Sequence, residues 1–384
     1  MSSSGTDNIM AALEQRNRVS QVRLFNLANW QLEAVLATMQ VPFLELEDLR
    51  LSSANETRTV IPDSLLGGSA PHLQFFSLSH ISFPGLSKLL LTASRLVSLW
   101  LFNIPHSGYI SPEAFVTLFS VLSNLEDLSL KFQSPRSHPG GRLWSSQSLK
   151  RAILPTLRVF HFKGVTEYLE ELVIRIGTPQ LDDMNITFFN QIDFDTRRLA
   201  QFINCTPTLR ALHEAHVYVV APDIASIVFQ YRASEYRLGY LSINISCTEP
   251  DWQLSSIEQV CNSLHPLSTV EDLYIEGRTT YAPLLVWKDD PIENILWLQL
   301  LLPFTTVKDL YLSVEFAPRI AAALKESVTS RVTEILPSLQ NIFVEGLDSF
   351  GRLQENIEQF VTARQLSDNP IAISHWDRVD DRNM

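Results

Sequence analysis

The protein has 384 residues, of which 45% are hydrophobic and 19% charged, with a formal net charge of −12. This apolar content excludes an intrinsically disordered chain, because it is sufficient to bury a continuous core. The acidic balance excludes a general nucleic-acid-binding surface, since phosphates would be repelled. Residues 1–8 carry no secretory signal, and no uncharged apolar run reaches the roughly 18 residues of a membrane span, so we expect a cytoplasmic or nuclear protein without membrane contact.

The first predicted segment, residues 1–18, is a polar lead-in, and Asn29–Met39 is the only helix expected near the start of the chain. A repeated apolar pattern, L-x-x-L-x-L with apolar substitutions, begins at Val19. Its clearest copies are Leu46–Leu51, Leu96–Leu101, Leu125–Leu130, Val270–Ile275 and Val307–Leu312. Looser copies start at Val19, Leu73, Leu157, Leu181, Leu238 and Leu339.

A further copy at Leu209 has Glu214 in place of its last apolar residue, so the sequence leaves its register open. With it, twelve copies start between residues 19 and 339, at an average step of about 29 residues, the upper end of the leucine-rich range. The last two apolar positions of each copy are two residues apart. They therefore point from a short strand into the core, while their neighbours point outward.

The segments between the copies carry apolar residues at helical spacing and predict helices that return the chain to the next parallel strand. Ser111-Pro112-Glu113 is a typical helix start, with a capping hydroxyl, a proline in the first turn and an acidic residue that opposes the helix dipole. The predicted helices are Asn29–Met39, Ser111–Leu122, Glu167–Ile176, Thr196–Asn204, Leu254–Leu264 and Ala317–Leu336.

We therefore predict an α/β fold, a leucine-rich-repeat solenoid shaped as a horseshoe, with a parallel sheet on the concave face and helices on the convex face. The solenoid covers residues 19–366, with insertions near 133–148 and 278–291. Residues 367–384 form a C-terminal tail.

Several phrases of the sequence carry a family resemblance. They are Gly67–Leu73 (GGSAPHL), Leu96–Leu101 (LVSLWL), Ile104–Glu113 (IPHSGYISPE), Phe160–Val165 (FHFKGV), Asp251–Ser256 (DWQLSS) and Arg364–Ser367 (RQLS). Through these phrases the chain resembles the fungal F-box-type leucine-rich-repeat proteins over nearly its whole length.

The resemblance implies a substrate-recognition subunit of a Skp1-cullin-F-box ubiquitin ligase, in which an F-box binds Skp1 and the repeats hold the protein to be ubiquitinated. A helical F-box opening with a Leu-Pro pair is not recognisable in this sequence, so Skp1 is an expected partner only if an F-box lies outside this chain. The chain is then a truncated product, a fragment of a longer protein, or a repeat-only relative that binds a protein without any ligase link.

The outward positions of the predicted strands are rich in aromatic residues. Trp and Tyr are frequent hot spots of protein interfaces, so we predict a protein-binding wall on the concave face, with Trp100 at its centre. Alternatively, Phe75, Trp100 and Phe102 are covered by one another or by a neighbouring loop. The candidate binding residues are Phe75, Trp100, Phe102, His161, Tyr240, Tyr274, Tyr311 and Phe343.

Catalysis has little support in the sequence. Phosphate-binding glycine loops, serine-nucleophile elbows and zinc-ligand pairs do not occur, so we predict no enzyme activity, cofactor or metal site. The run His213-Glu214-Ala215-His216 superficially resembles a zinc motif. In a strand, however, this spacing places the two histidines on opposite faces, which predicts an ordinary surface pair.

Overall fold

The computed structural model of the protein describes residues 3–54, 60–83, 86–135, 151–191, 194–210, 212–220, 224–230, 239–247, 250–264, 267, 269–277, 291–328, 333–345 and 351–377. The chain divides into two compact units, Met1–Met184 and Asn185–Met384. The greater part of the two predicted insertions, residues 136–148 and 278–290, lies outside the described residues.

In the first unit, the copies of the apolar pattern form short strands. They are β1 (Gln21–Leu27), β2 (Asp48–Ser53), β3 (Phe75–Ser79), β4 (Ser98–Ile104), β5 (Asp127–Phe132), β6 (Ala152–Ile153), β7 (Val159–Gly164) and β8 (Ile176–Gly177). The sheet follows the chain as β1-β2-β3-β4-β5-β7 with every neighbouring pair parallel, and β6 pairs with β8 separately. The predicted parallel α/β arrangement is confirmed here.

The cross-strand register of the first unit places equivalent positions of successive copies side by side. Leu49 pairs with Phe76, Phe76 with Leu99, Leu99 with Leu128, and Leu128 with Phe160. All five side chains are at most 1% exposed. Because strand side chains alternate between faces, the residues next to them point away from this core.

The first helix of the first unit precedes its strands, and the other helices connect them. The helices are α1 (Ser3–Glu14), α2 (Asn29–Thr38), α3 (Leu86–Leu90), α4 (Pro112–Phe119) and α5 (Thr166–Val173), with 3-10 turns at Arg16–Arg18, Leu65–Gly68 and His106–Gly108. The predicted start of α4 is confirmed, since the Ser111 hydroxyl accepts a hydrogen bond of 3.2 Å from the Ala114 N–H.

Residues 1–18 differ from the prediction, because α1 occupies most of this segment. Gln31 of α2 donates a hydrogen bond of 3.1 Å to the Thr6 hydroxyl of α1, and Leu13 is only 4% exposed. The expectation that Asn29–Met39 is the only early helix is therefore wrong. The polar composition hid α1, whose few apolar residues are sufficient for one packed face.

The boundary between the two units falls within the first strand of the second unit. The strands are β9 (Asp183–Phe189), β10 (Glu214–Val220), β11 (Ile224–Gln230), β12 (Tyr240–Ser246), β13 (Asp272–Glu276), β14 (Asp309–Leu312), β15 (Asn341–Glu345) and β16 (Ala372–Trp376). The strand order of this unit is β12-β11-β10-β13-β14-β15-β16, and β10 and β13–β16 are parallel neighbours.

The structure sets the register of the copy at Leu209, which the sequence leaves open. Ala215 pairs with Leu273 and Val217 with Ile275, so the copy starts three residues later, at Leu212. All three residues of the shifted copy, Leu212, Ala215 and Val217, are buried. A small alanine at a position usually filled by leucine concealed this register.

Strand β11 was not predicted, and it breaks the uniformly parallel sheet. It pairs antiparallel with both β10 and β12, so the order of these strands in the sheet is the reverse of their order in the chain. As a result, β10 lies beside β13. The predicted copy at Leu238 forms β12, which lies two places away from β10 in the sheet. A run of mostly apolar residues, Ile224–Gln230, forms the inserted strand.

The helices of the second unit are α6 (Arg197–Cys205), α7 (Pro207–Arg210), α8 (Pro250–Ser263), α9 (Pro291–Leu301), α10 (Ala317–Ser327) and α11 (Gly351–Leu366). Helix α10 is shorter than the predicted Ala317–Leu336. Strand β16 falls in the predicted tail and extends the sheet, so this part of the tail assignment is wrong.

None of the helices in the described part of the chain has the length and apolarity needed to cross a membrane.

Candidate interaction surfaces

Each unit has a sheet face that is turned away from its buried core. The outward side chains of β1–β5 and β7 are here named the N-terminal face, and those of β10 and β13–β16 the C-terminal face. Seven of the eight predicted binding residues lie on these two faces, and all seven are half-buried. The eighth, Tyr240, is also half-buried, but it lies on β12.

Trp100 occupies the middle of the N-terminal face. The strand register places Arg50 beside Ser77, Ser77 beside Trp100, Trp100 beside Ser129, and Ser129 beside His161. Two small serines therefore flank the indole on the neighbouring strands. Ser129 is only 1% exposed, so that side of the indole is already covered, and Ser77 on the other side is half-buried.

On the N-terminal face, Trp100 contacts Phe102, and two cations contact the rings of this face. The ring centroids of Trp100 and Phe102 are 6.1 Å apart. The Arg50 guanidinium carbon lies 5.3 Å from the Trp100 centroid and 5.6 Å from the Phe75 centroid, while Lys131 Nζ lies 5.2 Å from the Phe102 centroid. Cations at these distances are attracted by the electron-rich ring faces. Trp100 and Phe102 thus cover each other in part, Arg50 bridges Phe75 and Trp100, and all three rings stay partly exposed.

A buried carboxylate fixes the position of Arg50. Asp48 is only 1% exposed and accepts a hydrogen bond of 2.9 Å from Arg50 Nε and one of 2.8 Å from Arg23 Nε. Charge-assisted hydrogen bonds of this kind are among the stronger polar contacts. The guanidinium between Phe75 and Trp100 is therefore held before any partner arrives.

The far end of the N-terminal face carries two cations in register, Lys131 and Lys163. Burial lowers the pKa of Lys131, and the charge of Lys163 lowers it further, against the opposing charge of Asp127. Burial also raises the pKa of Asp127, although a hydrogen bond from Trp100 and the charges of His161 and Lys131 oppose this shift. Trp100 is thus anchored through Asp127 as well as Arg50.

The C-terminal face is built around a ladder of four rings, His216, Tyr274, Tyr311 and Phe343, one from each of β10, β13, β14 and β15. The register pairs each ring with the next. The centroids of successive rings are 4.3, 4.2 and 4.6 Å apart, and the ring planes deviate from parallel by only 4°, 9° and 9°. Stacking at the spacing of adjacent strands makes the ladder a continuous, rigid aromatic stripe.

Carboxylates line both sides of this ladder. On one side, Glu214 pairs in register with Asp272, and Asp272 with Asp309. On the other side lie Glu276 and Glu345, each two residues beyond a ladder tyrosine or phenylalanine. Acidic side chains of the same sign in adjacent strands repel one another, so this arrangement costs stability in the isolated protein.

His216 is the last ring at one end of the ladder, and it lies between two of these carboxylates. Its Nδ1 lies 3.3 Å from Glu276 Oε1, and its Nε2 lies 3.8 Å from Glu214 Oε2 and 2.9 Å from Gln230 Nε2. Burial alone would lower the pKa of His216, but hydrogen bonds and charge attraction from Glu214 and Glu276 together raise it above its usual value. The imidazolium is thus the favoured form over a wider pH range.

Trp376 contacts the ladder from the last strand. Its ring centroid lies 5.5 Å from that of Tyr311 at 68° and 6.0 Å from that of Tyr274 at 59°. Its backbone, however, pairs with Glu345 on β15. The indole therefore reaches back across the face and covers part of two stacked rings.

No protein-family model matches this sequence. A search among curated proteins likewise finds no match. Among solved structures, the chain is similar to the leucine-rich repeat-containing protein LegL7 from Legionella pneumophila, with a TM-score of 0.31 and 12% sequence identity over 91% of this chain and 93% of that one.

Two residues of the C-terminal face were missed from the sequence, His216 and Trp376. His216 was obscured by the open register at Leu209, since starting the copy at Leu212 gives His216 the same position in its copy as Tyr274. Trp376 was assigned to the tail. The two histidines of the zinc-like run lie apart from each other. His213 is exposed, and its Nδ1 lies 3.3 Å from the Thr269 carbonyl oxygen. His216, however, is a half-buried ladder ring rather than part of a surface pair.

One predicted binding residue stands apart from the ladder. Tyr240 pairs with Gln230 of β11, which pairs with Glu214 of β10. The inserted β11 thus separates it from the C-terminal face.

Within the described residues, no group of three or more His, Cys, Asp or Glu side chains is arranged to hold a metal ion.

Proposed function

We propose that this protein is a protein-binding leucine-rich-repeat module without catalytic activity, and that its N-terminal and C-terminal faces contact the partner. The observation that carries this proposal is the ladder of His216, Tyr274, Tyr311 and Phe343, a half-buried aromatic stripe on a rigid sheet. Preorganised aromatic side chains lose little conformational entropy on binding and supply large contact areas, which is why they dominate interface energies.

The N-terminal face supports the same function by a different arrangement. Trp100 and Phe102 are positioned by neighbouring cations and by Asp127, and both rings stay half-buried. A partner side chain that packs on the exposed parts of these two rings gains contact with rings that are already oriented.

The family resemblance refines this proposal. On that basis, the chain is the substrate-recognition part of an F-box ubiquitin-ligase subunit, which binds Skp1 only through an F-box outside this chain. The alternative is a repeat scaffold that holds its protein partner without a ligase. The two differ in whether the partner is ubiquitinated in cells, and its abundance after loss of the protein distinguishes them.

Site-specific photo-crosslinking tests the proposed faces. A photoreactive phenylalanine analogue is placed at Ser77 on the N-terminal face or at Ser374, beside Phe343 on the C-terminal face. The matched control is Thr117, an exposed residue on helix α4. We expect the same partner protein to crosslink at Ser77 and Ser374 and not at Thr117. Crosslinks confined to Thr117, or absent from both faces, would disprove the proposed function.

A further inference from the structure

The two faces carry opposite charge. On the described strands of the N-terminal face, outward positions include Arg23, Arg50, Lys131 and Lys163 against Asp48 and Asp127. On the described strands of the C-terminal face they include Glu214, Asp272, Glu276, Asp309 and Glu345, with no Lys or Arg. Even with His216 protonated, the carboxylates outnumber the cations on the C-terminal face by five to one.

The carboxylates of the C-terminal face lie close to the protein interior, and this strengthens the negative potential that they produce together. Glu214, Asp272 and Glu276 are 8%, 2% and 7% exposed, so water screens their charge poorly. Asp309 and Glu345 are half-buried and reachable from solvent. The face therefore presents a concentrated negative potential, with two accessible oxygen-bearing side chains at its rim.

The aromatic ladder sets the geometry of a suitable ligand. In a strand, Asp272 and Glu276 are separated by four residues, or about 13 Å, with Tyr274 midway. An extended segment laid along the ladder projects successive side chains to opposite sides. Lys or Arg at consecutive positions would then reach the two carboxylate rows, while their apolar stems lie on the ring edges.

We infer that the C-terminal face binds an extended, basic segment of the partner protein, with Lys or Arg side chains paired to Asp309 and Glu345 across the aromatic ladder. This inference rests on the proposed protein-binding function and names the chemistry of the partner. A cationic segment would also relieve the repulsion among Glu214, Asp272 and Asp309, so each added positive charge has a larger effect here than at an ordinary surface.

The probe is a labelled twelve-residue peptide in which Arg-Lys pairs alternate with Thr pairs, compared with the same peptide carrying Glu-Asp pairs. Binding is followed by fluorescence anisotropy. The test variant is the double substitution Asp309→Asn and Glu345→Gln. Asp309 Oδ1 accepts a hydrogen bond of 2.7 Å from Asn341, and Glu345 Oε2 accepts one of 3.2 Å from the Val314 N–H. Amide side chains retain oxygen acceptors for both contacts, so the fold is expected to persist.

The matched control removes the same charge from the same unit but away from the face. It is the double substitution Glu358→Gln and Asp368→Asn, at two exposed positions in and just after helix α11. We expect the basic peptide to bind the unaltered protein, with about a 10-fold loss of affinity in the face variant, less than about 2-fold in the control, and no binding of the acidic peptide.

Equal losses in the two double variants would show a general charge effect and overturn the inference, as would absence of binding by the basic peptide. The proposed function is tested separately by the crosslinks. A partner that crosslinks at Ser374 while the basic peptide neither binds nor competes would leave the protein-binding function intact and remove only the basic ligand. Peptide binding at the face without a partner crosslink at either face would disprove the proposed function. It would leave only the affinity of the C-terminal face for basic peptides.

Discussion

The Trp376 indole lies edge-on to the Tyr311 phenol, with 5.5 Å between the ring centroids, although the two residues belong to strands two places apart in the sheet. Adjacent strands are roughly 4.8 Å apart, so the indole must lean across β15 to make this contact. Trp376 thereby ties the last strand to the ladder.

The contact between Trp376 and Tyr311 is expected to stabilise the fold. In a double-mutant cycle with Trp376→Ala and Tyr311→Ala, we expect a coupling free energy of about 0.5–1.5 kcal/mol, the usual value of an aromatic pair. Urea unfolding of the four proteins measures it. As a control, Trp252→Ala removes an indole that is 53% exposed on α8 and should change the free energy of unfolding little. Strictly additive single-variant effects would mean that the two rings do not interact.

The raised pKa of His216 predicts a pH-dependent stability. Because Glu214 and Glu276 raise it in the folded protein above the usual 6.5, the stabilisation is complete below about pH 6.5 and is lost as pH rises through the folded pKa. His216→Phe keeps a stacked ring but no titrating group, so its free energy of unfolding should lack this component. NMR titration of the His216 ring in the unaltered protein and in Glu276→Gln checks the cause. The prediction fails if the pKa does not fall in Glu276→Gln.

The buried position of Leu128 predicts a large loss of stability on substitution by a charged residue. Leu128 is fully buried between Leu99 and Phe160, so Leu128→Asp should destabilise the first unit by several kcal/mol, since its carboxylate has no partner there. Ser77→Asp places the same charge on the outward face beside Arg50 and should cost far less. Thermal melting of both variants tests the assignment of the two faces, and similar melting temperatures would contradict it.

Trp100 is expected to be a hot spot once a partner has been identified by crosslinking. Trp100→Ala should weaken binding by about 2–4 kcal/mol, or roughly 30-fold to 1,000-fold, and Lys131→Ala far less. The indole also contacts Arg50 and Phe102, so we expect a modest stability loss of about 1 kcal/mol in Trp100→Ala. Calorimetric affinities measured beside melting curves separate the two effects. Unchanged affinity would place the site elsewhere, and a collapsed melt would mean that the ring is structural.

For the clear copies of the apolar pattern, the sequence by itself determined which side chains point into the core and which point outward. Leu99 and Leu101 are buried while Trp100 between them is half-buried, as the two-residue alternation predicts. This success has a local cause, because the direction of a strand side chain depends only on its position in the pleat. The predicted parallel pairing of the clear copies follows from the helices that connect them.

Only the tertiary structure decided which outward side chains meet. His216 stacks on Tyr274 because β10 pairs with β13, and that pairing depends on the excursion through β11 and β12. Which strand edges pair is a non-local choice among similar partners, and the two-residue alternation contains no information about it. The reach of Trp376 onto Tyr311 has the same origin, since the packing above the sheet, and not the position of a residue in its own strand, selects where a long side chain lies.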